Sequence, residues 1–68
     1  MDQNKIGAFI SERRKAKGWT QNQLAERLGI TDKAISKWEP GRSMPELSLF
    51  IPLCGLLEVS VNEFFAGV

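Results

Sequence analysis

The sequence of 68 residues contains no histidine and a single cysteine, Cys54. One cysteine cannot form an internal disulfide, and without histidine the commonest general base and a common metal ligand are missing. No apolar run approaches the ~20 residues that a membrane-spanning helix needs, and the N-terminus lacks the apolar stretch of a secretory signal. These absences argue against an enzyme, a metal site or a cofactor, and favour a reducing, cytoplasmic location away from any membrane.

Positive charge is missing from the last part of the chain. All nine lysine and arginine residues lie in residues 1–42 together with five acidic residues, a net charge of +4. Residues 43–68 hold three glutamates and no basic residue, a net charge of −3. Such asymmetry favours a polyanionic partner for the basic part, although ordinary solvated helix faces are the alternative interpretation.

The spacing of apolar residues predicts an all-α protein that forms one domain over residues 1–68. Five helices are predicted, over residues 5–17, 21–28, 32–38, 46–57 and 61–66. The second and fifth helices have the capping-box spacing at their starts, Thr20 with Gln23 and Ser60 with Glu63. In the fourth helix, the spacing predicts a buried stripe that begins at Leu47, and Pro52 predicts a kink or a split.

Only residues 29–31 separate the second helix from the third. Both helices have an apolar side to bury, so they must cross steeply around a shared core and form a helix-turn-helix over residues 20–39. The third helix is left with a polar and basic outer side. Because the DNA major groove admits one α-helix, this side is a candidate for contact with base edges, with the second helix lying across the backbone.

The motif residues of this segment resemble those of the phage repressor and Cro family, also called the xenobiotic response element family. They are Thr20-Gln21, Leu24-Ala25, Leu28-Gly29-Ile30-Thr31, Ile35-Ser36-Lys37-Trp38-Glu39 and Gly41. The resemblance extends from Ile6-Gly7 to Val59-Ser60-Val61. It implies a compact five-helix, lambda-repressor-like domain that binds double-stranded DNA sequence-specifically, as a transcriptional regulator and in particular a repressor.

The resemblance also implies a role for individual residues. Those that match base-contacting positions are Thr31, Asp32, Lys33, Ser36 and Lys37. Those that match phosphate-contacting positions are Gln21, Arg42 and Ser43. Arg14 and Glu39 match an ion pair that ties the first helix to the end of the third. A direct phosphate contact by Arg14 is the alternative to this ion pair, and both can hold because an arginine has five donors. A solvated polar face is the alternative interpretation of the base-contacting set, and Glu58, where glycine is usual, predicts a frayed or shifted end of the fourth helix.

The expected partner is duplex DNA, bound by a homodimer on half-sites about one helical turn apart. The fifth helix, with Phe64, Phe65 and Val68, is the candidate dimer surface. An effector-binding or partner-binding region beyond residue 68 is a further expectation. The alternative function is a protein-interaction module, such as an antitoxin or a coactivator-type subunit, that uses the apolar C-terminal edge.

Overall fold

The computed structural model describes residues 2–66, and of Phe65 the backbone alone. Its helices are α1 (Gln3–Ala16), α2 (Gln21–Leu28), α3 (Asp32–Trp38), α4 (Leu47–Leu57) and α5 (Val61–Ala66). The prediction of an all-α fold of five helices is therefore confirmed. The first helix begins two residues earlier than predicted, because the Asp2 carboxylate caps it by accepting from the N–H groups of Asn4 and Lys5. None of the helices in residues 2–66 is long and apolar enough to cross a bilayer.

A single hydrophobic core lies between the helices. Its largest fully buried side chains are Phe64, Ile6, Ile10, Leu24, Ile35, Leu53 and Leu57. Phe64 makes edge-to-face contacts with Phe9 and Phe50, at centroid distances of 5.1 and 5.4 Å. Since Phe64 is completely buried, it cannot belong to a dimer surface, and that part of the prediction is wrong. The side chain of Phe65 and all of Val68 lie outside the described residues.

The predicted capping boxes are both formed. Thr20 N–H donates to Gln23 Oε1 at 2.8 Å and Gln23 N–H donates to Thr20 Oγ1 at 3.1 Å. In the same way, Ser60 N–H donates to Glu63 Oε1 at 3.2 Å and Glu63 N–H donates to Ser60 Oγ at 2.9 Å. Two backbone donors at each helix start are thus satisfied by side chains of the same helix start, so local sequence determines where α2 and α5 begin.

Helix α4 differs from the prediction at Leu47 and, in part, at Pro52. It runs through Pro52 as one helix, so of the two predicted outcomes the split is wrong and the kink stays a prediction. Pro52 lacks the N–H that would bond to the carbonyl of Ser48, but both residues are exposed, so water can hydrate that carbonyl. The predicted buried stripe is wrong at Leu47, which is 81% exposed, because α4 turns the side that carries Leu47 and Ile51 away from the core.

Helix α4 does not fray at its end. Glu58 adopts the left-handed conformation, with φ 57° and ψ 43°, and Val59 N–H donates to the carbonyl of Cys54 at 3.0 Å. This is the Schellman ending that also closes α2 at Gly29. The Glu58 carboxylate pairs with the ammonium group of Lys17 at the end of α1. The expectation of a frayed or shifted helix end is therefore wrong.

Replacing Glu58 with glycine is expected to raise the free energy of unfolding by about 1 kcal/mol. A left-handed backbone costs a non-glycine residue about 1–2 kcal/mol, and part of the gain is lost to the greater freedom of glycine in the unfolded chain. Thermal unfolding followed by circular dichroism measures the change as a rise in the melting temperature of about 4–8 °C. Glu58→Ala keeps the backbone cost and removes the Lys17 pair, so it is expected to gain nothing. A Glu58→Gly variant no more stable than the parent would contradict this account.

Candidate nucleic-acid interface

A tight turn fixes the angle between α2 and α3. Gly29 has a φ of 74°, and Ile30 N–H donates to the carbonyl of Ala25 at 3.0 Å. These features end α2 at Leu28, and three residues lie between this helix end and the start of α3. Leu24 and Ala25 of α2 and Ile35 of α3 are buried in the same hydrophobic core. The two helices therefore form a helix-turn-helix whose α3 has one side packed on the core and the other exposed.

The outer side of α3 and the residue before this helix together carry every residue that the sequence placed at base-contacting positions. Thr31, Asp32, Lys33, Ser36 and Lys37 are all exposed, whereas Ile35 and Trp38 on the inner side are 0% and 5% exposed. Thr31 precedes the helix without a side-chain capping bond, so its hydroxyl is not used to cap α3. We call these five exposed residues the α3 outer face.

The hydroxyl of Ser36, on the α3 outer face, can accept a hydrogen bond from a ligand but has no free hydrogen to donate. Its hydroxyl donates to the carbonyl of Lys33 within the helix at 2.8 Å. A serine hydroxyl has one donor and two acceptor lone pairs. Towards a ligand, Ser36 can therefore accept a hydrogen bond, whereas Lys33 and Lys37 can only donate.

The loop after α3 is closed by its own backbone. Gly41 N–H donates to the carbonyl of Trp38 at 3.0 Å, and the N–H groups of Arg42 and Ser43 donate to the carbonyl of Lys37 at 2.9 and 3.3 Å. The backbone donors of Arg42 and Ser43 are thus directed into the helix end. Any contact with an external anion has to come from their side chains, of which Arg42 is exposed and Ser43 is half-buried.

A polar network joins three helices at the end of α3. Arg14 of α1 donates from Nε to Glu39 Oε2 at 2.6 Å and from Nη2 to Glu39 Oε1 at 3.0 Å. Arg14 Nη1 also donates to the carbonyl of Trp19 at 2.6 Å. Gln21, the first residue of α2, donates from Nε2 to Glu39 Oε1 at 3.0 Å. The Glu39 carboxylate therefore ties α1 and α2 to the C-terminal end of α3, which follows directly after the α3 outer face.

Arg14 is buried, which leaves its guanidinium poorly placed for a contact with a DNA phosphate. It is 8% exposed, and each nitrogen of its guanidinium already donates to Glu39 or Trp19. Its position is therefore that of a structural arginine within the fold. Gln21 is half-buried, with one amide N–H used by Glu39. Its backbone N–H lies in the first turn of α2, where no intrahelical acceptor exists.

The network changes the acidity of its two charged groups. Burial by itself would raise the pKa of the Glu39 carboxyl, but the hydrogen bonds from Arg14 and Gln21, with the positive charge of Arg14, outweigh it, so that pKa is lowered. The hydrogen bond to Glu39 raises the pKa of Arg14 against the opposing effect of burial. Both groups are charged at neutral pH, and the pair keeps its full charge into mildly acidic solution.

Stability is expected to fall in acid partly through Glu39. Because its pKa is lower in the folded state than its ordinary value of 4.5, its contribution is fully present above that ordinary value and is lost as the pH falls through the folded pKa. Urea unfolding between about pH 5 and about pH 3 measures this loss. Glu39→Gln cannot titrate, so its stability should fall less over that interval. An equal fall in parent and variant would contradict the role assigned to Glu39.

The sequence did not reveal the role of Gly7. A Cβ placed on Gly7 would lie 2.1 Å from the carbonyl oxygen of Trp38 and 2.5 Å from that of Glu39. The backbone of α1 therefore lies directly against the end of α3, and this contact positions α3 along with the Glu39 network. The available signal was an isolated glycine inside a helical pattern, which usually has a packing or functional reason.

Comparison with known proteins gives the same fold and family. The chain is 34% identical over 58 residues to the HTH-type transcriptional activator BcrR of Enterococcus faecalis, covering 85% of this chain and 28% of that protein. It is 32% identical over 59 residues to the cryptic phage CTXphi transcriptional repressor RstR of Vibrio cholerae. This alignment covers 87% of this chain and 53% of that protein. The structure also resembles that of the P22 c2 repressor in complex with a synthetic operator. The TM-score is 0.85 at 28% identity, over 93% of this chain and 96% of that one.

The chain thus spans between about a quarter and just over half the length of the two curated relatives described above. Residues 10–64 match the helix-turn-helix family HTH_3, a family of regulators rather than of enzymes. This match includes all of α2, α3 and α4 and the network residues Arg14, Gln21 and Glu39. The chain belongs to the HTH_3 family of Cro/C1-type helix-turn-helix proteins, which confirms the resemblance drawn from its sequence.

Proposed function

We propose that this domain binds double-stranded DNA sequence-specifically, with α3 in the major groove and the N-terminal end of α2 at the phosphate backbone. The observation that carries the proposal is the α3 outer face, a polar and basic surface on a helix whose position is set by the Glu39 network and by Gly7. A rigidly held helix of this kind suits the width of the major groove.

Each base-contacting residue has a defined chemistry in this proposal. Lys33 and Lys37 donate to guanine O6 and N7, whereas Asp32 accepts from the N4 amino group of cytosine. Ser36, whose hydroxyl hydrogen is used by Lys33, accepts from an amino group of cytosine or adenine. Thr31, without a capping bond, contacts either a base or a phosphate.

The phosphate contacts come from the two ends of the helix-turn-helix. At one end, Gln21 contributes its backbone N–H, because the start of a helix attracts anions. At the other end, the exposed side chain of Arg42 and the half-buried hydroxyl of Ser43 follow α3. The guanidinium of Arg14 is buried and bonded to Glu39, so it is poorly placed for a phosphate contact.

Replacing Lys33 or Lys37 with alanine is expected to relax the base preference at one position of each half-site. The loss of a good base contact costs about 1–3 kcal/mol of discrimination against the wrong base. Selection of bound sequences from random duplexes, carried out with the parent and with each variant, measures the change. Lys15→Ala is the matched control, because Lys15 is also an exposed lysine but lies on α1.

The same selection tests the proposed function itself. The parent should enrich one motif, and its affinity for that motif should fall steeply as salt rises, because phosphate contacts release bound counterions. Lys15→Ala should enrich the same motif as the parent. If the parent enriches no motif, sequence-specific binding is refuted. If both Lys33→Ala and Lys37→Ala keep the parental motif unchanged, the assignment of the α3 outer face is wrong.

We further propose that two copies act together on DNA in the cytoplasm and that they repress transcription by occupying a promoter. The domain measures 26 × 23 × 22 Å, and α3 is only seven residues long. One copy therefore cannot place α3 in two successive major grooves about 34 Å apart, whereas a pair can.

Repression by occupancy of a promoter needs no protein surface besides those that bind DNA. A reporter gene with the selected motif across its promoter tests this, with expression measured in the presence and in the absence of the protein. Higher expression in the presence of the protein would contradict repression.

A further inference from the structure

The helical part of the α3 outer face divides into two rows of side chains. Residues four apart in a helix lie nearly above one another, about 6 Å apart along the axis, whereas neighbouring residues are about 100° apart around it. Asp32 and Ser36 therefore form one row, and Lys33 and Lys37 form a second row beside it. All four residues are exposed, so both rows are open to a ligand.

The two rows have opposite hydrogen-bonding chemistry. The lysine ammonium groups only donate, and the Asp32 carboxylate only accepts. The Ser36 hydroxyl donates its hydrogen to the carbonyl of Lys33 at 2.8 Å, so towards a ligand it joins Asp32 as an acceptor. No ion pair within residues 2–66 involves Asp32 or a lysine of this face. One row is thus a row of acceptors, and the other is a row of donors.

A G·C pair presents the complementary pattern in the major groove. Guanine shows two acceptors there, O6 and N7, and the cytosine paired with it shows the N4 amino donor. A T·A pair also places an acceptor opposite a donor, but thymine has a single acceptor and carries its methyl group beside it. The donor row therefore fits guanine best, and the acceptor row fits the cytosine on the opposite strand.

We propose that each half-site contains two G·C pairs whose guanines lie on the same strand, no more than two base-pair steps apart. This inference rests on the proposed function, and it names the base pattern that α3 reads. Both lysines belong to one row, so they face one strand while the acceptor row faces the other. The spacing follows from the ~6 Å between residues one turn apart, which is less than two duplex steps of ~3.4 Å.

Reversing a G·C pair to C·G tests the strand assignment without changing base composition. Selection with the parent gives the motif, and each of its two G·C pairs is then reversed in a synthetic duplex. Each reversal should weaken binding at least about fivefold, because a lysine then meets the cytosine amino group and an acceptor meets guanine O6. Fluorescence anisotropy measures the Kd, and a pair reversed outside the motif is the control that should leave it unchanged.

The base analogue 7-deazaguanine tests which lysine meets which guanine. It lacks N7 but still pairs with cytosine, so placing it at either position should weaken parental binding several-fold, because a charged donor loses an acceptor. For Lys33→Ala one of the two positions should cost nothing further, and for Lys37→Ala it should be the other one. Lys15→Ala, which removes an exposed lysine of α1, is the control and should respond to both positions as the parent does.

Replacing Asp32 with asparagine tests the acceptor row. Asparagine pairs bidentately with adenine, so the variant should enrich adenine in place of one of the two cytosines. It also removes a negative charge near the phosphates, so binding to mixed-sequence duplex should become tighter. Glu12→Gln removes an exposed carboxylate from α1 and is the matched control, which should enrich the parental motif.

Several results would overturn the inference while leaving sequence-specific binding intact. They are a parental motif without two such guanines on one strand, equal binding of the reversed duplexes, an unchanged response of both lysine variants to 7-deazaguanine, and an unchanged motif for Asp32→Asn. A parent that enriches no motif would instead refute the proposed function. Circular dichroism checks that each variant is folded, as expected for substitutions at exposed positions.

Discussion

Replacing Gly7 with alanine is expected to lower the free energy of unfolding by about 3 kcal/mol, although alanine is the better helix former. The added methyl group would lie 2.1 Å from the carbonyl oxygen of Trp38 and 2.5 Å from that of Glu39. Both are backbone atoms, so neither can turn aside as a flexible side chain would. Helix α1 and the end of α3 must move apart, and the Arg14–Glu39 contact between them is weakened as well.

Gly55→Ala is the matched control for this substitution. Gly55 is also a helical glycine, but a Cβ placed there meets nothing within 4 Å. Alanine at this position should therefore raise the free energy of unfolding by about 0.5–1 kcal/mol. Chemical denaturation of the two variants and the parent measures changes of opposite sign. If Gly7→Ala is as stable as the parent, α1 and α3 are not in the close backbone contact described above.

Replacing Glu39 with alanine is expected to lower the free energy of unfolding by about 3 kcal/mol, because it leaves the Arg14 guanidinium buried without its counter-ion. It also removes the acceptor of Gln21, so α1 and α2 lose their common attachment to the end of α3. Helix α3 is then held less firmly, and affinity for the selected DNA motif should fall along with stability. Urea unfolding and DNA titration of the same variant measure the two effects.

A double-mutant cycle separates the ion pair from its surroundings. Arg14→Met and Glu39→Met each leave one buried charge unpaired, whereas the double variant leaves none, so it should lose clearly less stability than the sum of the two single variants. Lys17→Met with Glu58→Met is the matched control for an exposed pair, since the Glu58 side chain is 71% exposed. That cycle should show coupling below about 1 kcal/mol. Strict additivity for Arg14 and Glu39 would contradict a structural role for the pair.

Local chemistry made much of the fold predictable from the sequence. The starts of α2 and α5 follow from capping boxes whose partners are three residues apart, Thr20 with Gln23 and Ser60 with Glu63. The tight turn at Gly29 follows from its neighbours in the same way. These interactions are complete within a few residues, so they do not depend on the rest of the chain.

Long-range contacts were harder to predict. The spacing around Leu47 is compatible with burial, but whether a helix side is buried depends on which neighbours cover it, and Leu47 is 81% exposed. The sequence places Phe64 in a candidate dimer surface, yet its ring is buried and packs edge-to-face on Phe9 and Phe50. Likewise, the pairing of Arg14 with Glu39 was inferred through a family resemblance, because residues so distant in the chain share no local signal.

The amino-acid sequence alone determined the helix-turn-helix over residues 20–39, because helix periodicity and caps are encoded within short segments. Its motif residues also indicated the class of protein and the residues of the α3 outer face, through their resemblance to a known family. The tertiary structure alone decided that Gln21 joins the Arg14–Glu39 pair, that Gly7 lets α1 touch α3, and that Leu47 and Ile51 are exposed. These features depend on how separate helices pack, and packing brings together residues between which the sequence shows no spacing rule.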